Sequence, residues 1–508
     1  MVLFRLSRMN RVLVLALLIA ASPLVAQAPR PSADEVARSV DSLAARVVTA
    51  GVSPALGVAV VMDGRTILAR AYGMADVTQN IPADERTLWY IASTSKSFTG
   101  FAVALLAQRK VLDLSSPIAT LLPGVEWPAG VDPTQLTLAH FLSHTHRLND
   151  NAVVQSAAFT GAIPEARWPS LIRFATVSSS DDLVYSNFGY NVAAMVIDRK
   201  RPEGWRGFLE QAVFRPAGLR ETYGRLSGLD SRRIARPHGF APSGFVTRPF
   251  EKTDATMNSA GGHVATLGDL ARWTIVQMDS GRIDGRQVFP SEAVALSHRL
   301  IARQTRDQAK RFAWFDRDGW AAGWDVGSYQ GEPMVSRFGG YNSIRSHLSF
   351  LPGRRVGVVA QVNGPGASLA TDIVAALVYD LEAGRAHARA TASARLDSLI
   401  AQIPAGRQGA IASDSTRRAR QQPLSRPLAD FAGSYQHDAY GTIQVTRREE
   451  TLRFRWGVLE GPLEVLNAQG NVLRLEIAGS GSPLQFRFTG PGPATSVETA
   501  GVSFTRQP

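Results

Sequence analysis

Ser93-Thr94-Ser95-Lys96-Ser97-Phe98-Thr99-Gly100-Phe101-Ala102-Val103-Ala104-Leu105-Leu106-Ala107 is the stretch on which the reading of this chain turns. From Ser97 onward the apolar residues recur at helical spacing and no breaker follows Gly100. This predicts a helix over 93–107 that opens at Ser93 and carries Lys96 on the same face one turn on. A serine at a helix N-terminus meets unpaired N–H groups and the positive end of the helix, both of which favour developing negative charge. A lysine whose pKa is lowered by burial or by neighbouring cations can accept the serine proton. The chain holds five lysines, and only Lys96 stands three residues after a serine. By itself the motif also fits a capping serine followed by a solvent-facing lysine, so the surroundings have to decide.

Upstream, Ser32 followed by Ala33-Asp34-Glu35 is a capped helix start, and Val36, Val40, Leu43 and Val47 continue it as an apolar stripe. Ala55–Val61 and Thr66–Tyr72 are apolar, β-branched runs joined by Met62-Asp63-Gly64-Arg65, where Asp-Gly signals a hairpin. Downstream come helical segments at Phe188–Asp198, Leu267–Asp279 and about 367–383, with strands resuming at Ser343–Leu351 and Arg355–Asn363. Sheet at both sequence ends thus encloses helices in the middle. Residues 386–427, rich in Ala, Arg, Gln and Ser, read as a linker with a short helix at Ala394–Ile403. From Leu428 to the end, short alternating runs such as Thr442–Thr446 and Leu452–Trp456 predict a small all-β barrel.

Tyr185-Ser186-Asn187 is the only Tyr-x-Asn among ten tyrosines. Tyr185 is a second proton-transfer candidate if ammonium charge depresses its pKa, and Asn187 is suited to a hydrogen bond with a substrate amide. A tyrosine packing on a loop is the plainer alternative. The aromatic-rich segment Phe312–Trp324 reads as strand and core packing ahead of a cleft lining.

The formal charge of +12 raises the question of nucleic acid or membrane surfaces. Arg5, Arg8 and Arg11, together with the eight arginines against two aspartates of 383–427, carry nine of those charges. The remainder is near neutral and shows no basic face interleaved with aromatics, so nucleic acid is not an expected partner. Residues 1–28 have the order of a signal peptide: a basic start, the apolar run Val12–Ala21, then Ala26-Gln27-Ala28. A secreted or periplasmic location follows as an expectation, with a membrane as partner only if the leader is retained; Pro29 sits awkwardly just after the expected cut. No cysteine is present, which excludes disulfides and thiolate metal sites.

With these residues in hand, the chain resembles over roughly 35–385 the class C β-lactamase and D-alanyl-D-alanine carboxypeptidase superfamily, with its esterase and D-aminopeptidase relatives. Beyond the Ser-x-x-Lys and Tyr-x-Asn motifs, Leu136–Thr145 is similar to the family's segment ending in His-Thr-Ser-Gly. Phe214–Leu219 is similar to its Pro-Leu-Gly-Met stretch, and Ala260-Gly261-Gly262 with Thr266 and Asp269 also matches. Residues 428–508, opening with Phe431-Ala432-Gly433-Ser434-Tyr435, resemble the small barrel appended to some of these hydrolases. The resemblance implies that Arg337-Phe338-Gly339 stands where the family has Lys-Thr-Gly or His-x-Gly, on the strand bordering the site. It further implies that the Gly340 N–H joins that of Ser93 as an oxyanion hole. Two departures stand out. His144-Thr145-His146-Arg147 places side chains where a glycine-permitted turn is usual, and arginine replaces lysine or histidine at 337.

The expected fold is therefore α/β: an antiparallel sheet flanked by helices, a helical subdomain and a C-terminal all-β barrel. The expected domains are the hydrolase over 29–385, the linker over 386–427 and the barrel over 428–508. The expected function is an exported serine hydrolase, β-lactamase-related and penicillin-binding in type. It would form an acyl-enzyme on Ser93 with an ester, a D-amino-acid peptide or a β-lactam, as an esterase or carboxypeptidase does. Ser93, Lys96 and Tyr185 are the catalytic candidates; Asn187, Arg337, Gly339 and Gly340 are the substrate and oxyanion candidates. The partner is a small-molecule or peptide substrate, with cell-wall peptide among the candidates, and neither cofactor nor metal is expected. The alternative is a non-catalytic module that binds cell-wall peptide or β-lactam. Arg337 itself has two candidate roles, lowering the Tyr185 pKa or pairing with a substrate carboxylate.

Overall fold

The computed structural model describes residues 30–149, 151–178, 185–305, 314–420 and 423–508. The leader and Phe312 lie outside the described residues. Helix α1 (Ala33–Thr49) begins in a capping box, Ser32 Oγ accepting from the Glu35 N–H while the Glu35 carboxylate accepts from the Ser32 N–H. Strand β1 (Ala55–Met62) turns into β2 (Arg65–Asp76) through Asp63 at φ 48° and Gly64 at φ 74°, the two left-handed residues a tight hairpin needs. Strands β3 (Asp316–Trp320), β4 (Asp325–Tyr329), β5 (Glu332–Tyr341), β6 (Ile344–Leu351) and β7 (Val356–Val362) follow as a meander.

These strands form one antiparallel sheet in the order Ala302–Arg303, β3, β4, β5, β6, β7, β1, β2, Ile81–Pro82. The two sequence ends meet where β1 lies beside β7, with Val58 opposite Ala360. Alternation along β1 assigns the two faces: Leu56, Val58, Val60 and Met62 join one core cluster, while Ala55, Ala59 and Val61 join the other. The first cluster is closed by α1 and by a C-terminal helix, Ser368–Glu382. The second is closed by α2 (Lys96–Gln108), α3 (Phe188–Lys200) and α4 (Leu267–Met278). Between β6 and the Ser368–Glu382 helix runs a buried polar chain: Asp372 Oδ1 to His347 Nδ1 at 2.7 Å, His347 Nε2 to Ser349 Oγ at 2.6 Å, and Ser349 Oγ to Tyr379 OH at 2.6 Å.

Eight strands between Gly433 and Arg506 close into a barrel, the first pairing with the last so that Tyr435 faces Arg506. Thr451–Trp456 alternates exposed and buried along its length, its inward residues Leu452, Phe454 and Trp456 lying in the barrel core. The stretch expected as a linker is different. From Ala388 to Arg418 it is one helix. Its buried residues Ala388, Ala392, Leu396, Leu399 and Ile403 keep a single stripe against the first core cluster. Three of those five are leucine or isoleucine confined to the segment that the sequence already marked. The rest of the stripe is alanine, which contributes little apolar contrast. No helix among the described residues is long and apolar enough to cross a membrane.

Candidate active site

Ser93 does not open α2. It lies on a 3₁₀ turn, Ala92–Ser95, that leads into the helix at Lys96. The Ile91 N–H donates to His263 O at 3.1 Å, and the chain then reverses through Ala92 at φ 44°. A left-handed alanine costs on the order of 1–2 kcal/mol, and it sits directly before the serine. In a 3₁₀ turn residues three apart eclipse, so Ser93 and Lys96 still stand side by side.

The Lys96 ammonium is buried and donates to Ser93 Oγ at 3.2 Å, Asn187 Oδ1 at 2.6 Å and Ala260 O at 2.7 Å. Burial pushes its pKa down to about 8, the Arg337 guanidinium acting in the same direction and Tyr185 against it. The Tyr185 hydroxyl donates to Ser93 Oγ at 2.7 Å. The residue as a whole is 43 % exposed, while its hydroxyl lies among Ser93, Lys96 and Arg337. Burial opposes ionisation of this phenol, but the Lys96 and Arg337 charges outweigh it and bring the pKa down to about 8. Serine, lysine and tyrosine therefore share a short hydrogen-bonded path whose two outer groups titrate in the same range, as a pair.

Arg337 comes from β5 and is 1 % exposed. Its Nε donates to Ser93 O at 3.0 Å and its Nη2 to Tyr185 OH at 3.1 Å, while Nη1 lies 3.6 Å from Asp325 Oδ2. Of the two roles expected for this residue, the tuning of Tyr185 is the one that requires the contact between Nη2 and Tyr185 OH. A two-pronged grip on a substrate carboxylate needs an open guanidinium edge, and this one is turned onto protein groups. Gly339 is backed against the serine loop: a Cβ there would overlap Ile91 O and come within 2.9 Å of Ser93 N. Any side chain would push β5 away from Ser93. Gly340, the next residue, is exposed and meets nothing closer than 3.8 Å at the same position.

The departure at 144–147 is accommodated in the backbone. His144 adopts φ 63° and Arg147 φ 58°, so side chains do occupy left-handed positions there. His144 is buried beneath the site, its Nδ1 accepting from the Ser186 N–H at 3.2 Å and its ring 4.7 Å from that of Tyr185. Burial holds it neutral, well below the usual histidine range. His146 turns its Nδ1 onto the Leu148 N–H instead, and no group of three metal-ligating side chains gathers among the described residues. Trp320 packs on Tyr185, Arg337 and His144 and so braces the site from within, while Trp324 is buried against His298 and Phe350.

Three participants escaped sequence reasoning. The Ala260 carbonyl holds Lys96, Asp325 anchors Arg337, and Trp320 supports Tyr185. Ala260 lay in a quoted motif, yet a backbone acceptor has no residue-type signal. Asp325 could have been flagged as the one charged residue in the apolar, glycine-rich stretch Gly319–Gly327.

Comparison with known proteins adds an independent line. The family model described as Beta-lactamase matches residues 40–380. Unguisins hydrolase ungD of Aspergillus violaceofuscus is 22% identical over 422 residues, 77% of this chain and 73% of that protein. Penicillin-binding protein 4 of Amycolatopsis lactamdurans is 24% identical over 341 residues, 65% of this chain and 86% of that protein. The solved octameric penicillin-binding protein homologue from Pyrococcus abyssi aligns with a TM-score of 0.56 at 16% identity, covering 92% of this chain and 98% of that one.

Proposed function

This chain belongs to the beta-lactamase family and is a serine hydrolase, and from that premise we propose that Ser93 is its acylated nucleophile, with Lys96 and Tyr185 as the proton-transfer pair. The observation that carries this reading is Ser93 Oγ standing 3.2 Å from Lys96 Nζ and 2.7 Å from Tyr185 OH. Ser93 Oγ attacks the carbonyl carbon of an amide or ester and gives its proton to the pair, which shares one proton near pH 8. The N–H groups of Ser93 and Gly340 hold the resulting oxyanion. The bond to the leaving nitrogen or oxygen then breaks, and the leaving group takes the proton that Ser93 lost. Water attacks the Ser93 ester, passes a proton back through the pair, and releases the acid. Asn187, whose Oδ1 is engaged by Lys96, keeps its Nδ2 for a substrate carbonyl.

The substrate is a small molecule or peptide carrying an ester, a D-amino-acid amide or peptide bond, or a β-lactam. The turned-in Arg337 favours neutral acyl groups over chains that end in a carboxylate. The leader read in residues 1–28 makes the enzyme an exported one. The rival, an idle binding module, rested on Arg147 and Arg337. Arg147 fits its turn and Arg337 contacts the proton-transfer tyrosine, both of which support an active centre.

Intact-mass spectrometry tests this after exposure of the full chain to activated esters, D-amino-acid amides, D-Ala-D-Ala peptides and β-lactams. The expected result is an acyl adduct mapping to Ser93, fastest with the neutral substrates. Equal labelling of Ser93→Ala would overturn the assignment. N-terminal sequencing of the protein recovered from culture medium or periplasm checks export.

A further inference from the structure

The barrel reaches the centre of the hydrolase through backbone contacts. The Val458 N–H donates to Thr160 O at 2.7 Å, and Thr160 ends a π turn, Ser156–Thr160. Such turns widen the helical ladder and expose carbonyls to other partners. Here Asn258 Nδ2 donates to Ala157 O at 3.1 Å, and Lys252 Nζ donates to Ala158 O. Asn258 is buried, and its Oδ1 accepts from the Ala260 N–H at 2.9 Å. The Ala260 carbonyl is the acceptor that holds Lys96 Nζ at 2.7 Å.

The seam between barrel and π turn leaves no room for a side chain. Gly457 lies at φ 60°, and a Cβ there would overlap Thr160 O and meet Thr160 C at 2.9 Å and Ala162 N at 3.0 Å, all backbone atoms. Gly441 faces the same segment less tightly, a Cβ there lying 3.0 Å from Ala162 Cβ. Phe159 and Ala162 pack on the barrel core, while Ala439 of the barrel is buried in the hydrolase core. A second barrel turn grips the other end of the Glu251–Asn258 segment, where the Ala478 N–H donates to Glu251 Oε2 at 3.1 Å.

We propose that the barrel is a positioning element of the catalytic centre: its Gly457-Val458 turn holds the π turn, the π turn holds Asn258, and Asn258 fixes the Ala260 carbonyl on Lys96. Asn258 is then a positioning residue that acts through Lys96 and touches no substrate. This rests on Lys96 being a proton-transfer group. On this reading the hydrolase portion loses activity when the barrel is removed.

The test compares two glycines of the barrel that pay the same left-handed backbone cost. Gly457→Ala forces a Cβ into the seam, whereas Gly501→Ala, at φ 77° with nothing within 4 Å, does not. In the full chain with a p-nitrophenyl ester, Gly457→Ala should lower kcat on the order of 10–100-fold with KM unchanged. It should also displace the limb of the pH–rate profile that rises through about pH 8, and Gly501→Ala should do neither. Asn258→Ser should reproduce the displaced limb, and the Gly457→Ala/Asn258→Ser double variant should lose less than the sum of the single losses. A wild-type pH profile in both single variants, or additive losses, would sink the proposal. If Gly457→Ala does not fold, as read by thermal denaturation, Asn258→Ser alone carries the test through its pH profile. Lys96→Ala separates the two levels of failure: full turnover there removes the premise, whereas lost turnover beside an unaffected Gly457→Ala removes only the role of the barrel.

Discussion

Ser93 and Ser349 each stand within hydrogen-bond reach of a basic side chain that a further group holds in place. At Ser349 the residue types are those of a nucleophilic triad, since His347 bridges the serine at 2.6 Å and Asp372 at 2.7 Å. All three are buried between β6 and the Ser368–Glu382 helix, and Tyr379 OH takes up the serine from the far side. Around Ser93 the partners are cationic and the chain ends at Tyr185, a residue exposed in part. The difference teaches that a serine with a base is half of a centre. The other half is a route for substrate and a source of positive charge beside the developing anion, and only Ser93 has both.

The sharpest way to break that contrast is to delete each serine. Ser93→Ala should lower turnover by about 10⁴-fold or more. Ser349→Ala should keep kcat per folded molecule and lose about 1–3 kcal/mol in a denaturant titration, because His347 and Tyr379 are left unsatisfied. Retained turnover in the first, or lost turnover in the second, would exchange the two assignments. Next in size are the partners of Ser93: Lys96→Ala and Tyr185→Phe should each cost about 10²–10⁴ in kcat. Ser95→Ala, whose buried hydroxyl has no hydrogen-bond partner among the described residues, should change little.

A smaller effect concerns pH. With Lys96 and Tyr185 both near 8, kcat/KM should rise as the pH passes upward through about 8 and the pair loses one of its two protons. Arg337→Ala removes a cation that favours the deprotonated form of both groups, so the limb should move to higher pH. Neutral and carboxylate-bearing esters should suffer equally. A larger loss for the anionic ester would restore the carboxylate-binding role.

The smallest effect belongs to Ser349's own chain. Burial holds His347 below the usual histidine range, so the folded state resists a proton that the unfolded chain accepts. That stability is present above about pH 6.5 and declines as the pH falls below it. His347→Gln should flatten this part of the thermal stability curve against pH while leaving turnover unchanged.

Much of the centre was legible because it rests on local spacing. Ser93 and Lys96 are three apart, Tyr185 and Asn187 two apart, and the Asp63-Gly64 turn announces its own geometry. What escaped depends on long-range register. Arg337 was expected on the bordering strand, but which groups its guanidinium would meet follows from Asp325 lying on the neighbouring β4. The Ala388–Arg418 helix was read mostly as linker for its Ala, Arg, Gln and Ser content; it packs with alanines and contains Pro404, whose missing N–H argues locally against a helix. Packing against the Ser368–Glu382 helix overrides that local signal.

The borders of the nine-stranded sheet bear on how copies of the chain meet. Its outermost strands, Ile81–Pro82 and Ala302–Arg303, are two residues long, and one of them ends in a proline that has no N–H to offer. The barrel, being closed, has no border at all. The short strand Ile81–Pro82 pairs with β2 only at Met74 and Asp76, so Arg65–Tyr72 keeps an outer edge with no strand beside it among the described residues. Arg65 and Arg70 are exposed along that border, and repulsion between like charges discourages a second copy of the same strand from pairing there.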